Sequence, residues 1–478
     1  MTVRVRFAPS PTGYLHIGGA RTALYSYLFA KANGGKYILR IEDTDLERSK
    51  REYEEAQIAD LKWMGIEHDE GPDKGGDFGP YRQSERLDIY KDIAWDFINR
   101  GLAYPCFLTS IELERLTEKA ASENKDPHAY HGQYRDLDPA QAKARIDAGE
   151  EYVIRFKNPG KTWEFTDLVK GHVKFPENMV GDFVILRANG MPVYNFCCVV
   201  DDAKMEMTHV FRAEEHLNNT CRQLMIYDAM GVTPPQFGHV SLLIGHDRQK
   251  LSKRHGATSV TQYKDQGYLP AALANYLCLL GWSHPEETDI FDVNELGNKF
   301  GYERFSKSSA MYDIQKLNFF NEQWLRKLDD KDIAAGFDRF VPAGSEYHKQ
   351  DEAWKIKFAA LMKEKVQLFS NINEHLPIFF DAGVDPKGLQ DDQYKEAIGW
   401  ETTSQIKEYL KTQLADQTTN VTEDQVGEWM DYLKKELKIK GKPLFMGTRV
   451  CLTGRAHGPD LKTVVALTPV SIIKERLA

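Results

Sequence analysis

The first 45 residues constrain the fold more than any other stretch of the chain. Val3, Val5 and Phe7 alternate with Arg4 and Arg6, the two-residue period of a strand. Pro9-Ser10-Pro11-Thr12-Gly13 then breaks the backbone into a turn. Over residues 17–32, Ala20, Leu24, Tyr27 and Leu28 recur at helical spacing, with Gly18 and Gly19 near the start and Asn33-Gly34-Gly35 at the end. Tyr37-Ile38-Leu39-Arg40-Ile41 predicts a second strand, closed by Glu42-Asp43-Thr44-Asp45. Strand, helix and strand in so short a span predict a βαβ unit, hence a parallel sheet and an α/β fold.

Downstream, the sequence reads as helix to about Arg100. From about Cys106 to Gly190 it changes to a charged helical start and then short strand-like runs such as Tyr152-Val153-Ile154-Arg155-Phe156, which marks an insertion. Strand is expected again over residues 191–200 and 239–244, and mainly amphipathic helix beyond about Tyr263. No solenoid-length repeat or low-complexity tract interrupts this order. With 478 residues, the chain has room for about three or four domains at roughly 100–200 residues each.

Composition narrows the function classes. The 62 Lys+Arg against 71 Asp+Glu leave a net charge of −9, which argues against a general nucleic-acid coat while allowing a local basic face. Residues 431–478 supply one: 10 Lys+Arg against 4 Asp+Glu. The six cysteines form no CxxC pair, as expected of reduced thiols in the cytoplasm. The N-terminus has neither an apolar signal core nor a transit pattern, and the apolar stretch near residues 273–282 is shorter than the ~20 residues a bilayer needs. A soluble protein with no membrane partner is expected.

Two segments carry chemistry. The turn Pro9–Gly13 followed by His16-Ile17-Gly18-Gly19 places glycines and a histidine where a helix N-terminus offers free N–H groups to phosphate. Its spacing is neither a Walker loop nor GxGxxG. Lys250-Leu251-Ser252-Lys253-Arg254 puts two lysines and a serine on a loop, where they could stabilise charge on a triphosphate.

Taken together, these segments resemble the class I aminoacyl-tRNA synthetases of the glutamyl branch. The resemblance extends to Arg6-Phe7-Ala8, Arg40–Asp45, Gly79–Ser84, Val199–Asp202 and Phe211–His216, strongly to about Leu325 and more loosely afterwards. It implies a Rossmann-type parallel-sheet catalytic domain in two halves, 1–105 and 191–262. Between them lies an inserted acceptor-end-binding domain, 106–190, and after them a helical stem-contact domain, 263–325. An all-α anticodon-binding region, 326–478, completes the chain. It further implies ATP-dependent activation of L-glutamate to glutamyl-adenylate and transfer to tRNA(Glu), with tRNA(Gln) left open as a second acceptor, by a monomer.

The same resemblance assigns residues. His16, Gly18, Gly19, Lys250 and Lys253 would hold ATP, with His16, Lys250, Ser252 and Lys253 in the catalytic set and Lys253 the main transition-state contact. Arg6, Ala8, Ser10, Glu42, Tyr194 and Arg212 would bind glutamate, Glu42 taking the α-ammonium. Arginine has donors only, so it favours a carboxylate over an amide. Cys198 stands where some relatives have asparagine and is expected to pack. Mg²⁺ would bridge the ATP phosphates without a carboxylate cage of its own. Some relatives carry zinc in the insertion, but here the matching stretches offer one cysteine, Cys106, and one histidine, His131, so no structural zinc is expected. In the helical half, Lys442 and Arg449, with Phe445, are candidate tRNA contacts. Lys365 is the best match, on a helix expected over residues 353–367, to an arginine with which some relatives restrict themselves to tRNA(Glu).

Overall fold

The computed structural model describes residues 2–125, 130–177, 179–252, 254, 256, 258–383 and 391–478. The chain forms two compact units, Met1–Tyr263 with Leu273–Asp313, and Lys264–Ala272 with Ile314–Ala478.

The first unit opens with the expected βαβ element. Strand β1 (Arg4–Phe7) leads through the proline-rich turn to α1 (Ile17–Ala32), and β2 (Lys36–Leu39) returns parallel to β1, with Arg4 opposite Lys36 and Phe7 opposite Leu39. Asn33 closes α1, and Gly34 takes φ +60°, a conformation glycine adopts without a Cβ clash. The alternation in β1 suggests one wet face, yet all four residues are buried; Arg4 and Arg6 are ion-paired inside. Helices α2 (Arg51–Trp63) and α3 (Leu87–Asn99) follow. The helical reading to Arg100 therefore holds at its two ends, while residues 64–86 form turns and a short 3-10 segment.

Strand β3 (Ala103–Cys106), helices α4 (Ser110–Ser122) and α5 (Pro139–Asp147), and strands β4 (Val153–Phe156), β5 (Trp163–Asp167), β6 (Gly171–Phe175) and β7 (Phe183–Leu186) make the inserted region. β3, β4 and β7 form an antiparallel sheet in that order, and β5 and β6 a hairpin. This region shares a core with its surroundings: Ile154, Phe156 and Phe175 belong to one buried cluster with Phe97, Phe196, Val200, Met225 and Phe237.

Residues 191–200, expected as strand, lie mostly in helix α6 (Tyr194–Lys204). The run is buried on all sides, and an apolar stretch this short has no period that separates a buried helix from a buried strand. Strand β8 (His209–Ala213), helix α7 (Asn219–Met230) and strand β9 (Gln236–Val240) form a second parallel pairing, with Thr208 N donating to Arg4 O at 2.9 Å between β8 and β1. Gly238 allows that packing, since a Cβ there would stand 2.6 Å from the Phe211 ring. The short β10 (Leu243–Ile244) pairs in parallel with β11 (Ala310–Met311).

The second unit is helical, with no strand among the described residues. Its main helices span Ile314–Lys327, Asp330–Phe340, Glu352–Met362, Glu401–Leu414, Glu423–Lys435, Gly441–Thr453, Leu461–Leu467 and Val470–Leu477. Several start on a side-chain cap: Asp329, Asp351, Thr422 and Asp460 each accept a hydrogen bond from a backbone N–H of the first turn. One apolar core gathers Phe337, Phe358 and Phe379, and a second gathers Ile406, Trp429, Leu433 and Leu452. No helix among the described residues is long and apolar enough to cross a membrane.

Candidate active site

The turn after β1 is held from three sides. Glu42 N donates to Pro9 O and Lys50 N to Pro11 O, both at 2.9 Å, while buried Gln57 donates through Nε2 to Gly13 O at 2.7 Å. The turn delivers His16 to the N-cap of α1, where Nδ1 accepts from Gly18 N at 3.1 Å. A lone pair used at Nδ1 assigns the proton of the neutral ring to Nε2. Burial, and then Lys250, hold the His16 pKa below its ordinary value, so at neutral pH the ring is an uncharged donor.

His16, Gly18 and Gly19 face a cavity of about 680 Å³, also lined by Arg6, Ala8, Ser10, Glu42, Tyr194, Arg212 and Lys250. Fifteen of the 25 lining positions are not among the site residues expected from the sequence, and three of them matter electrostatically: Arg48 and Arg187 add cations, and His216 adds a neutral ring. The walls carry six Arg or Lys side chains against three carboxylates. With the N-terminus of a 16-residue helix at the same wall, the cavity favours an anionic ligand.

The two arginines expected to bind substrate are held differently. Arg6 is paired with Asp202, at 3.1 and 3.3 Å, and its Nη2 reaches Cys198 Sγ at 3.5 Å. Asp202 also takes Arg40 at 2.7 Å, and Arg40 reaches Glu42 at 3.1 Å. Cys198 therefore touches the charged network as well as packing; burial pushes its thiol up to about 12, so it stays protonated. Arg212 has no carboxylate partner among the described residues. Its Nε donates to His239 Nε2 at 3.0 Å and its Nη2 to Thr220 Oγ1 at 2.8 Å, while buried Nη1 has no hydrogen-bond partner among the described residues.

Burial raises the Glu42 pKa, with Arg40 and Arg6 opposing the rise. A buried carboxylate in that state gains from an arriving ammonium. Tyr194 lies with its hydroxyl 3.4 Å from His216 Nδ1. His216 itself is lowered to about 4 by burial and by Arg212.

Across the cavity, Lys250 Nζ contacts Glu215 Oε2 at 2.5 Å. Ser252 follows in the same loop but does not line the cavity, and Lys253 lies outside the described residues. In the insertion, Cys106 is buried on β3 and His131 Nε2 is 3.0 Å from Thr117 Oγ1. Among the described residues no group of three His, Cys, Asp or Glu side chains is arranged to hold a metal ion.

In the helical unit, Lys442, Phe445 and Arg449 share one face of the helix Gly441–Thr453 and line a cavity of about 510 Å³. Phe445 is 64% exposed, whereas Arg449 donates to Pro459 O at 2.9 Å. Lys365 does not lie on a helix: the helix expected over residues 353–367 ends at Met362, and Lys365 sits in the turn beyond it.

Residues 2–319 match the family described as tRNA synthetases class I (E and Q), catalytic domain, and residues 319–478 match the family described as anticodon binding domain. The chain is 45% identical to glutamate–tRNA ligase 1 of Caldicellulosiruptor saccharolyticus, over all of this chain and 98% of that protein. It is 46% identical to a glutamate–tRNA ligase of Bdellovibrio bacteriovorus, covering 99% and 97% of the two chains. Among solved structures, a glutamate tRNA ligase from Elizabethkingia meningosepticum in complex with its amino acid is similar at a TM-score of 0.89. That pair is 31% identical, with 100% of this chain and 98% of the other covered.

Proposed function

Because the chain belongs to the class I tRNA synthetases of the glutamate and glutamine branch, we propose that it works as a glutamate–tRNA ligase through the cationic cavity at the start of α1. L-Glutamate enters with two carboxylates and one ammonium. Arg6 and Arg212 face its carboxylates, Glu42 its ammonium, and Ala8, Ser10 and Tyr194 close around it. ATP lies with its phosphates at Gly18, Gly19 and the α1 N-terminus, His16 donating through Nε2–H. Lys250 approaches from the opposite wall, and Lys253 and Ser252 join it by the family resemblance.

A glutamate α-carboxylate oxygen attacks the α-phosphorus, the bond to the β,γ-phosphates breaks, and pyrophosphate leaves with the electron pair. The terminal ribose hydroxyl of the tRNA then attacks the carbonyl carbon and releases AMP. No covalent enzyme intermediate forms. The protein's contribution is position and charge stabilisation. Mg²⁺ would be held by the nucleotide's own phosphates, and no step is assigned to it. The insertion, residues 106–190, is assigned to the acceptor end, residues 263–325 to the stem, and Lys365, Lys442, Phe445 and Arg449 to the anticodon side. Six unpaired, buried cysteines support a reducing, cytoplasmic setting.

The observation that carries the site reading is Arg212, a buried cavity-lining cation whose Nη1 has no hydrogen-bond partner among the described residues. The test is aminoacylation of purified tRNA(Glu) and tRNA(Gln) in parallel with labelled glutamate. Glutamate is expected on tRNA(Glu), and the second tRNA decides whether the enzyme is restricted to one acceptor. Failure to charge tRNA(Glu) overturns the reading.

A further inference from the structure

The buried groups behind Arg212 come from a part of the chain not assigned to amino-acid binding. Asp167 ends β5 of the inserted hairpin and is 2% exposed; His239 is on β9 and fully buried. His239 Nδ1 lies 2.5 Å from Asp167 Oδ2. The carboxylate also accepts backbone N–H groups from Val169 at 2.9 Å, Lys170 at 2.8 Å and His239 at 3.2 Å. An acceptor-only group so placed assigns the histidine proton to Nδ1, leaving the Nε2 lone pair for Arg212 Nε–H at 3.0 Å.

We propose that Asp167 and His239 are positioning residues for glutamate binding: Asp167 fixes the His239 tautomer, and His239 aims Arg212 while leaving its charge uncompensated at close range. The contrast with Arg6 supplies the reason. Arg6 is held by a carboxylate that cancels much of its charge. Arg212 is held by a neutral ring and a hydroxyl, with the balancing carboxylate one imidazole further back. A protonated His239 would set N–H against N–H. Burial and the cations Arg212 and Lys170 oppose that state, and Asp167 alone favours it. The hairpin is fastened beside this point, since Leu168 N donates to Phe237 O at 2.8 Å and Lys170 pairs with Glu214. The insertion therefore completes the amino-acid pocket from behind.

The inference rests on the reading of Arg212 as a glutamate ligand, and the experiment separates the two. Steady-state aminoacylation of tRNA(Glu) is measured for the wild type, Asp167→Asn, His239→Ala, His239→Gln, Arg212→Lys and the His239→Ala/Arg212→Lys pair. Asp167→Asn lets the ring flip and present a donor to Arg212, so KM for glutamate rises about tenfold or more, while KM for ATP stays within about twofold. His239→Ala does the same. His239→Gln, which can accept from Arg212 and donate to Asp167, restores most of the affinity. The His239→Ala effect vanishes in the Arg212→Lys background, because lysine has no Nε–H to aim.

A wild type that does not charge glutamate, or Arg212→Lys with unchanged KM, overturns the site reading. An Arg212→Lys defect with Asp167→Asn and His239→Gln both unchanged and no His239→Ala effect overturns the positioning role alone. So does a His239→Ala effect that persists in the Arg212→Lys background. If His239→Ala does not fold, Asp167→Asn and His239→Gln decide; if none of the three folds, the trio is a folding element and the proposal fails.

Discussion

In the N-terminal unit Arg4, Arg6, Arg40, Glu42, Glu70, Arg86, Asp167, Asp201, Asp202 and Arg212 are all buried. In the helical unit the buried polar side chains among the described residues are Asn321, Thr403, Thr448, Thr453 and Thr468, none of them charged. Burying a charge costs several kcal/mol (roughly) unless it is paired, so a chain does not do it eight or ten times without a use. The first unit arranges paired charges around a place for a small, charged ligand. Among the described residues the second fully buries none of its lysines or arginines, so a polyanion's phosphates could be met at its surface with little desolvation of the protein's own charges. Under the proposed function, the first unit receives a small molecule in its interior and the second meets a large one at its surface.

Asp202 joins Arg6 and Arg40 in the buried charge network. Asp202→Ala strips a partner from two buried cations, and an unfolding free energy lower by about 3–5 kcal/mol is expected in urea denaturation. A wild-type midpoint would mean the buried network is not structurally coupled.

Acid should sharpen the same contrast. His216 is held down to about 4 by burial and Arg212, whereas the unfolded chain titrates near 6.5. The unfolded state therefore binds the proton first. Stability from the neutral ring is full above pH 6.5 and is lost as pH falls toward 4, by roughly 3 kcal/mol. Thermal melts of wild type and His216→Gln across that window check it; equal acid sensitivity in both would assign the effect elsewhere.

On the helical unit, Phe445→Ala should weaken tRNA binding by about 1–3 kcal/mol through lost base stacking while leaving the melting temperature unchanged. A lowered melting temperature with unchanged tRNA affinity would make the 64%-exposed ring a structural residue.

Much of this arrangement is legible in the sequence, and the exceptions share a cause. The βαβ opening, α1 from Ile17 to Ala32 and the helical second half follow from periodicity, which depends only on neighbours along the chain. The cavity residues His16, Gly18, Gly19, Arg6 and Glu42 lie close together in sequence and come together in space. Burial on every side erases period, which is why α6 reads as strand and β1 as half-exposed. His239 and Asp167 are 72 residues apart, and a lone histidine in an apolar strand announces no partner. Lys365 is matched only through the family resemblance of a helix, and here the helix ends before it.

In the proposed site, donors alone, Arg6 and Arg212, choose the amino acid. ATP–pyrophosphate exchange in the presence of tRNA(Glu), run with glutamate and with glutamine, tests it directly. Exchange with glutamate and background with glutamine is predicted, because an amide NH₂ set against guanidinium leaves donors facing donors. Comparable exchange with both would contradict it.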